Sequence, residues 1–389
     1  MKFKLGDLID IKHGFAFKGD SITTEDNGIV LVTPGNFRIG GGFKEDKCKF
    51  FNAGYPEEYV LKPNDLIVTM TDLSKDIDTL GYSALVPQSN RVYLHNQRIG
   101  LVEIEDETVV DKHYLYWYMR TTHYQKTIAS TSSGSTVHHT SPDRIKAIEI
   151  DLPSIETQKD TASILDALDN KIDLNNQISE NLQQQAQAIF RREIKEATTE
   201  VPFTQYIKVL GGGTPKTGKL EYWDGGIPFF TPKDVGTPYV LETLKTITEI
   251  GLNNCNSQLY PTNTTFVTAR GTVGKVSLAG VPMAMNQSCY ALTSDTLHPF
   301  LVYYYTLEAI ESLKHKASGA VFDAIVTKDF ESETIRMIPK EKIEKLQKLL
   351  IVLMKKKLTI CKEDMSLEKI RDTILPKLMN GEIDFSNNT

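Results

Sequence analysis

The sequence predicts an α+β protein in which two β-rich domains, in a pseudo-two-fold arrangement, are separated by two long antiparallel coiled-coil helices. Three observations predict this. The 389-residue chain repeats itself; the first part of each copy is a series of short apolar runs punctuated by Gly, Pro, Asn and Asp; and each copy closes in a long stretch with heptad spacing.

The repeat is read directly. Gly28-Ile29-Val30-Leu31-Val32-Thr33-Pro34 returns as Gly226-Ile227-Pro228-Phe229-Phe230-Thr231-Pro232, and His95-Asn96-Gln97 returns as Met285-Asn286-Gln287. Ser133-Gly134 matches Ser318-Gly319, and Ile189 matches Ile374, both at a spacing of 185. The spacing drifts only early in each copy, so insertions lie there while the end of each copy keeps its length. The expected organisation is a β-rich domain at 1–152, a spacer helix at 153–198, a second β-rich domain at 199–338 and a second spacer helix at 339–389.

Within the β-rich parts, Leu66-Ile67-Val68-Thr69-Met70 follows the turn-forming cluster Pro63-Asn64-Asp65 and Thr265-Phe266-Val267-Thr268 follows Pro261-Thr262-Asn263, and both read as strands. Each domain ends in a tyrosine-rich helix, Tyr114 to Met119 or Leu301 to Tyr305, whose simplest role is core packing. Glu156 to Glu196 contains neither Pro nor Gly, so nothing breaks a helix of about 60 Å. Its seam runs Leu165, Leu168, Ile172, Asn175, Ser179, Leu182, Ala186, Ile189; the second copy gives Leu350, Leu353, Lys357, Ile360, Asp364, Leu367, Arg371, Ile374. The apolar members should pair the two helices, while the polar ones specify register. Outer-face residues Gln183, Gln184, Gln187, Arg191 and Lys355 should be free for protein partners.

Composition bounds the function. The chain is 40% hydrophobic and 24% charged, with no apolar run of membrane-spanning length and no basic-then-apolar start, so a cytoplasmic protein with no membrane role is expected. Four scattered cysteines offer no zinc or disulfide spacing. A net charge of -6 argues against non-specific coating of nucleic acid but not against a local basic surface.

No catalytic motif completes itself. Gly213 to Lys219 imitates a phosphate-binding loop, but Leu220 stands where a hydroxyl is required and Pro215 removes a backbone donor. His138-His139 lies in a Ser/Thr-rich loop with no metal partner nearby and reads as solvated; Gly40-Gly41-Gly42 and Gly211-Gly212-Gly213 read as flexible loops. Two similar, non-identical domains on a helical spacer suit a ligand with periodic grooves, duplex DNA. The competing class is a duplicated scaffold that binds proteins through its helices and has no DNA role.

The residues resemble a known family, the DNA specificity subunit of type I restriction-modification systems, over essentially the whole chain. The second domain carries Gly211-Gly212-Gly213-Thr214-Pro215, then Trp223 to Asp234 (WDGGIPFFTPKD), then Ala269-Arg270-Gly271-Thr272-Val273-Gly274-Lys275, then Asn286-Gln287; the helical ends carry Ile189-Phe190 and Thr373 to Ile383 (TILPKLMNGEI). The first domain departs from this pattern, with Gly14 to Asp20 (GFAFKGD) and Thr69 to Lys75 (TMTDLSK) at the corresponding places. The resemblance implies two target recognition domains, each reading half of a bipartite DNA sequence across a gap fixed by helix length. It also implies a non-catalytic chain that needs no cofactor, assembled with two methyltransferase subunits and two restriction subunits, which bring S-adenosylmethionine, ATP and magnesium. A system that methylates without cleaving fits the same residues.

Candidate DNA contacts follow from residue chemistry in Gly-rich loops, since Arg and Lys pair with guanine or phosphate and Asn and Gln pair with adenine. In the second domain these are Thr214, Lys216, Lys233, Arg270, Thr272, Lys275 and Gln287; in the first, Lys18, Asn36, Arg38, Thr71, Lys75, Asn96 and Arg98. Asn96 and Asn286 are equally suited to holding a turn.

Overall fold

The computed structural model describes residues 1–72, 77–134, 137–236, 238–316 and 324–383. It divides into two compact units, Met1–Lys171 with Leu367–Thr389, and Ile172–Ser366, so each long helix contributes one end to each unit. Lys75 and the repeat anchor Ser318-Gly319 lie outside the described residues.

In the first unit, strands Ile22–Thr23, Lys49–Phe51, Ile29–Val32, Val92–His95 and Val60–Leu61 form one sheet in that order, and Ile9–His13, Ile99–Ile104, Leu66–Thr69 and Ser83–Leu85 form another. Ile29–Val32 and Val92–His95 run parallel, Ile29 opposite Val92. The helix Lys112–Tyr118 is capped by Asp111, whose carboxylate accepts from Tyr114 N. It buries Tyr114, Leu115, Tyr116, Trp117 and Tyr118, which places the tyrosine-rich stretch in the core. Strand Lys2–Lys4 pairs with Glu149–Asp151 and delivers the chain to the first long helix.

The second unit repeats the plan. Lys208–Gly211, Cys289–Thr293, Thr265–Thr268, Val276–Ala279 and Tyr239–Val240 form a sheet; Thr246–Ile247, Trp223–Phe230 and Ala284–Met285 form a smaller one, in which Phe229 and Phe230 pair in parallel with Ala284 and Met285. The helix Pro299–Lys316 buries Tyr303, Tyr304 and Tyr305, and Thr199–Pro202 pairs with Thr334–Met337 before the second long helix.

The long helices are Ile155–Glu196 and Lys340–Met379. Ser154 opens the first by accepting from Thr157 N at 3.2 Å. Gly381, with φ of 69°, closes the second, and Glu382 N donates back to Lys377 O at 2.9 Å. Within the second unit they run antiparallel. Asn175 Nδ2 donates to Asp364 Oδ1 at 2.6 Å, and one turn further along Lys357 Nζ donates to Ser179 O and Oγ at 2.8 and 2.9 Å. The buried polar layer therefore joins the helices by hydrogen bonds.

Of the residues expected to pair the helices, Leu165, Ile172, Leu350 and Ile360 are buried, whereas Leu168, Leu182, Ile189, Leu353, Leu367 and Ile374 are half-buried. Ala186, Phe190, Met354, Leu375 and Leu378 take the deeper positions. A straight helix drifts from a seven-residue repeat over 40 residues, and each helix also packs on its domain, so the buried face is wider than one seam. Two outer-face expectations are corrected for the same reason. Gln183 Nε2 donates to the Tyr303 hydroxyl at 3.1 Å, and Arg191 pairs with Glu308 and Glu311, so both face the domain's own helix. Gln184 and Lys355 are exposed and Gln187 is half-buried.

Candidate nucleic-acid interface

In the second domain four loops meet at the ends of the strands. A Cβ on Gly212 would fall 2.2 Å from Asn286 O, so only glycine lets the opening loop lie on the Asn-Gln turn. Gly213 N then donates to Met285 O at 3.3 Å, and Thr214 Oγ1 donates to Gln287 Oε1. The turn beginning at Thr231 is held by Asp234, whose Oδ2 accepts from Thr231 N at 2.7 Å and Thr231 Oγ1 at 2.6 Å. Thr268 clamps the hairpin that carries Arg270, donating to Thr272 O and accepting from Lys275 N at 3.0 Å.

These loops are tied together. Thr272 Oγ1 donates to Pro232 O at 3.3 Å, Ala269 N to Ser288 O at 2.8 Å, and Asn286 N to Phe230 O at 2.9 Å. Lys216, Lys233, Arg270, Thr272, Lys275 and Gln287 are exposed on this patch, with Thr214 half-buried beside Gln287. Lys314, near the end of the helix Pro299–Lys316, joins them: its pKa is lowered by burial and by the neighbouring charge of Lys275. A fixed frame of backbone hydrogen bonds thus presents several cations and an amide to solvent, a combination suited to phosphates and base edges.

The first domain builds the same frame. A Cβ on Gly14 would lie 2.4 Å from both His95 O and Asn96 O. Phe15 N donates to His95 O at 2.8 Å and Gln97 N to Phe15 O at 3.1 Å, while Met70 N donates to Arg98 O at 2.9 Å. Lys18, Arg38 and Arg98 are exposed.

Three candidates in this domain are corrected, because their side chains are consumed by the frame. Asn36 is fully buried; its Oδ1 accepts from Thr33 N at 2.9 Å and its Nδ2 donates to Lys44 O at 3.3 Å, the counterpart of Asp234. Asn96 is 7% exposed and accepts from Arg98 N at 3.1 Å, as Asn286 accepts from Ser288 N at 3.0 Å, so the turn-holding alternative describes both. Thr71 is buried with its Oγ1 3.2 Å from His139 Nδ1. His138-His139 is accordingly a short strand paired with Thr71–Asp72 rather than a loop, with His138 half-buried and His139 exposed. Residue type suggests these positions, and burial removes them. Gln97, the repeat partner of Gln287, is also exposed here, and its signal is the repeat itself; Lys314 has no local signal, since it lies far off in sequence.

The Gly40-Gly41-Gly42 segment is a docked turn, not a flexible loop. All three residues have positive φ, Arg38 N donates to Gly42 O at 2.9 Å, and a Cβ on Gly41 would strike the Arg120 side chain. Arg120 Nε donates to Gly40 O at 3.0 Å, and its guanidinium lies 4.2 Å over the Trp117 ring. Asp169, on the first long helix, bridges Arg120 at 2.8 Å and Arg371, on the second, at 2.6 Å. Burial alone would raise the Asp169 carboxyl, but the two guanidiniums outweigh it and hold the pKa below the ordinary carboxylate value.

Among the described residues no group of His, Cys, Asp and Glu is placed to hold a metal ion, and no helix is long and apolar enough to cross a membrane.

Comparison with known proteins agrees with this duplicated arrangement. The family described as the type I restriction modification DNA specificity domain matches residues 1–184 and again 200–363. The chain is similar to the type I restriction enzyme HindI specificity subunit of Haemophilus influenzae, 25% identical over 344 residues covering 68% of this chain and 75% of the relative. It is also similar to the MjaIX specificity subunit of Methanocaldococcus jannaschii, 30% identical over 154 residues covering 38% and 34%. The crystal structure of a type-I restriction-modification S subunit from M. genitalium shares the fold, with a TM-score of 0.63, 16% identity and coverage of 97% and 95%.

Proposed function

This chain belongs to the type I restriction modification DNA specificity family, and on that premise we propose that it is the non-catalytic DNA-reading subunit of a cytoplasmic restriction-modification complex. Each β-rich domain reads one half of a bipartite duplex sequence, and the long helices set the gap and dock two methyltransferase subunits. Two restriction subunits complete the assembly; S-adenosylmethionine, ATP and magnesium belong to those partners.

One observation carries this reading: the same frame of loops is built twice, and each copy presents different exposed side chains. A shared frame with divergent tips suits two half-sites of different sequence. Four of the exposed apolar side chains of the long helices, Leu174, Ile178, Leu349 and Val352, with Gln184 and Lys355, are the surface we assign to the methyltransferase.

The test is methylome sequencing of cells that express the chain with its neighbouring methyltransferase, against cells lacking the chain. Chain-dependent N6-methyladenine at one bipartite motif is expected, and deletion of one heptad from each long helix should alter the gap while leaving both half-sites. A soluble, assembled complex without chain-dependent methylation would favour the protein scaffold instead.

A further inference from the structure

The two opening loops differ in one respect that bears on what each domain reads. The close approach of Gly14 to the turn at Asn96 fixes the direction of the next residue, and in the first domain that residue is Phe15, 38% exposed. At the matching place the second domain has Gly213, which carries no side chain, followed by the hydrogen-bonded pair Thr214 and Gln287.

The Phe15 ring is held firmly. Its backbone N–H and C=O are both engaged, with His95 O and Gln97 N. The ring stands edge-on to Phe17 at 5.1 Å and tilted against Tyr59 at 5.2 Å, and Phe17 in turn packs on Phe51 in the core. A ring packed against two neighbours is anchored to the protein and poorly placed to slide deep between base pairs as a wedge. What it offers is a fixed apolar edge beside the exposed amide of Gln97 and the cation of Arg98. In the major groove the apolar feature that distinguishes one base is the 5-methyl group of thymine.

We propose that Phe15 is a specificity-determining residue of the first domain and packs against a thymine methyl group in that domain's half-site. The inference rests on the DNA-reading function above. Domain one then reads partly through an apolar contact, where domain two uses a hydroxyl and an amide.

The experiment uses the assembled complex of chain and methyltransferase in two steps. Methylomes of wild type, Phe15→Ala and Phe15→Leu are compared first; Phe15→Ala should relax one thymine position in one half-site and leave the other half intact, and Phe15→Leu should retain the preference. Binding is then measured on duplexes in which thymines of that half-site are replaced singly by uracil, which removes only the methyl group. One replacement should weaken wild type by about four-fold and leave Phe15→Ala unchanged. An unaltered motif in Phe15→Ala, a half-site without thymine, or equal uracil sensitivity in both proteins overturns the proposal. Loss of both half-sites in an assembled complex assigns Phe15 a structural role and overturns it too. If wild type itself shows no chain-dependent motif, it is the DNA-reading function that fails, and this contact falls with it.

Discussion

The two halves of the molecule share their hidden parts and differ in their exposed ones. Gly14 and Gly212 make the same close approach, Asn36 and Asp234 hold the same Thr-Pro turn, and Asn96 and Asn286 hold the same Asn-Gln turn. Met70 O accepts from Thr140 N as Ala269 O accepts from Ile325 N, which makes Thr71 the counterpart of Arg270. Yet Thr71 is buried against His139 and Arg270 is exposed. Duplication has preserved the bonds that position loops and released the side chains at their tips.

A second contrast lies where domain meets helix. The first half uses charge, Arg120 with Asp169 and Arg371. The residues 185 positions away in the repeat are Tyr305, Met354 and Ala186, all buried in one apolar cluster, with the Tyr304 hydroxyl donating to Met354 Sδ at 3.4 Å. A half-buried carboxylate between two cations and a thioether among aromatics fill equivalent places by opposite physics.

The sharpest way to break this contrast is to make both places alike. Asp169→Leu should destabilise the chain by about 3–5 kcal/mol, since the buried Arg120 loses its carboxylate and Arg371 keeps only the exposed Asp372, whereas Met354→Leu should cost about 1.5 kcal/mol or less. Urea unfolding followed by tryptophan fluorescence checks this, because Trp117 lies under Arg120 and Trp223 lies in the other half. Equal losses at the two sites would show the ionic tie to be no different from packing.

The same pair predicts a pH dependence. The folded Asp169 carboxyl has a lowered pKa, so the unfolded chain binds the proton first as pH falls. Its contribution is complete above the ordinary carboxylate value of about 4 and is lost as pH falls through the lower folded value. Acid titration of the Asp169→Leu variant should lack that component.

At the loop tips, Arg270→Ala should weaken specific binding by the assembled complex by about 1–3 kcal/mol at fixed salt, and Thr71→Ala by less than about 0.5 kcal/mol. Comparable losses would mean that the tips are not what differs. Removing the turn caps, Asn36→Ala and Asp234→Ala, should each cost about 1 kcal/mol of stability, seen as lower melting temperatures, without altering the salt dependence of binding. The smallest effect belongs to Lys314→Ala, which should reduce the slope of log affinity against log salt by about one if it meets a phosphate.

The fold was largely legible because duplication and helix heptads are long-range patterns that survive irregular loops. Leu165, Ile172, Leu350 and Ile360 lie on the seven-residue spacing and are buried, while Met354, Leu375 and Leu378 are buried off it, because a strict seven-residue repeat ignores helical drift. The candidate interface is legible by loop but not by residue. Asn36, Thr71 and Asn96 carry the right chemistry for DNA, but their burial depends on partners such as Lys44 and His139 that no local pattern reveals. Arg120 carries a signal in the sequence: a cation directly following the apolar stretch Tyr114 to Met119, with an aspartate beside the helix seam to receive it.

The Gly40–Arg120–Asp169 chain of contacts bears on modular engineering. A foreign recognition module grafted in place of the first β-rich domain would meet a helix pair that already carries Asp169 and Arg371, and unless it brings an arginine at the position of Arg120 it leaves that carboxylate with one partner instead of two. The second docking place, lined by Met354, Phe190 and Ala186, asks of an incoming module only shape and apolarity. Chimeras should therefore be tolerated more readily at the second position than at the first, unless Asp169 and Arg371 are exchanged together with the graft.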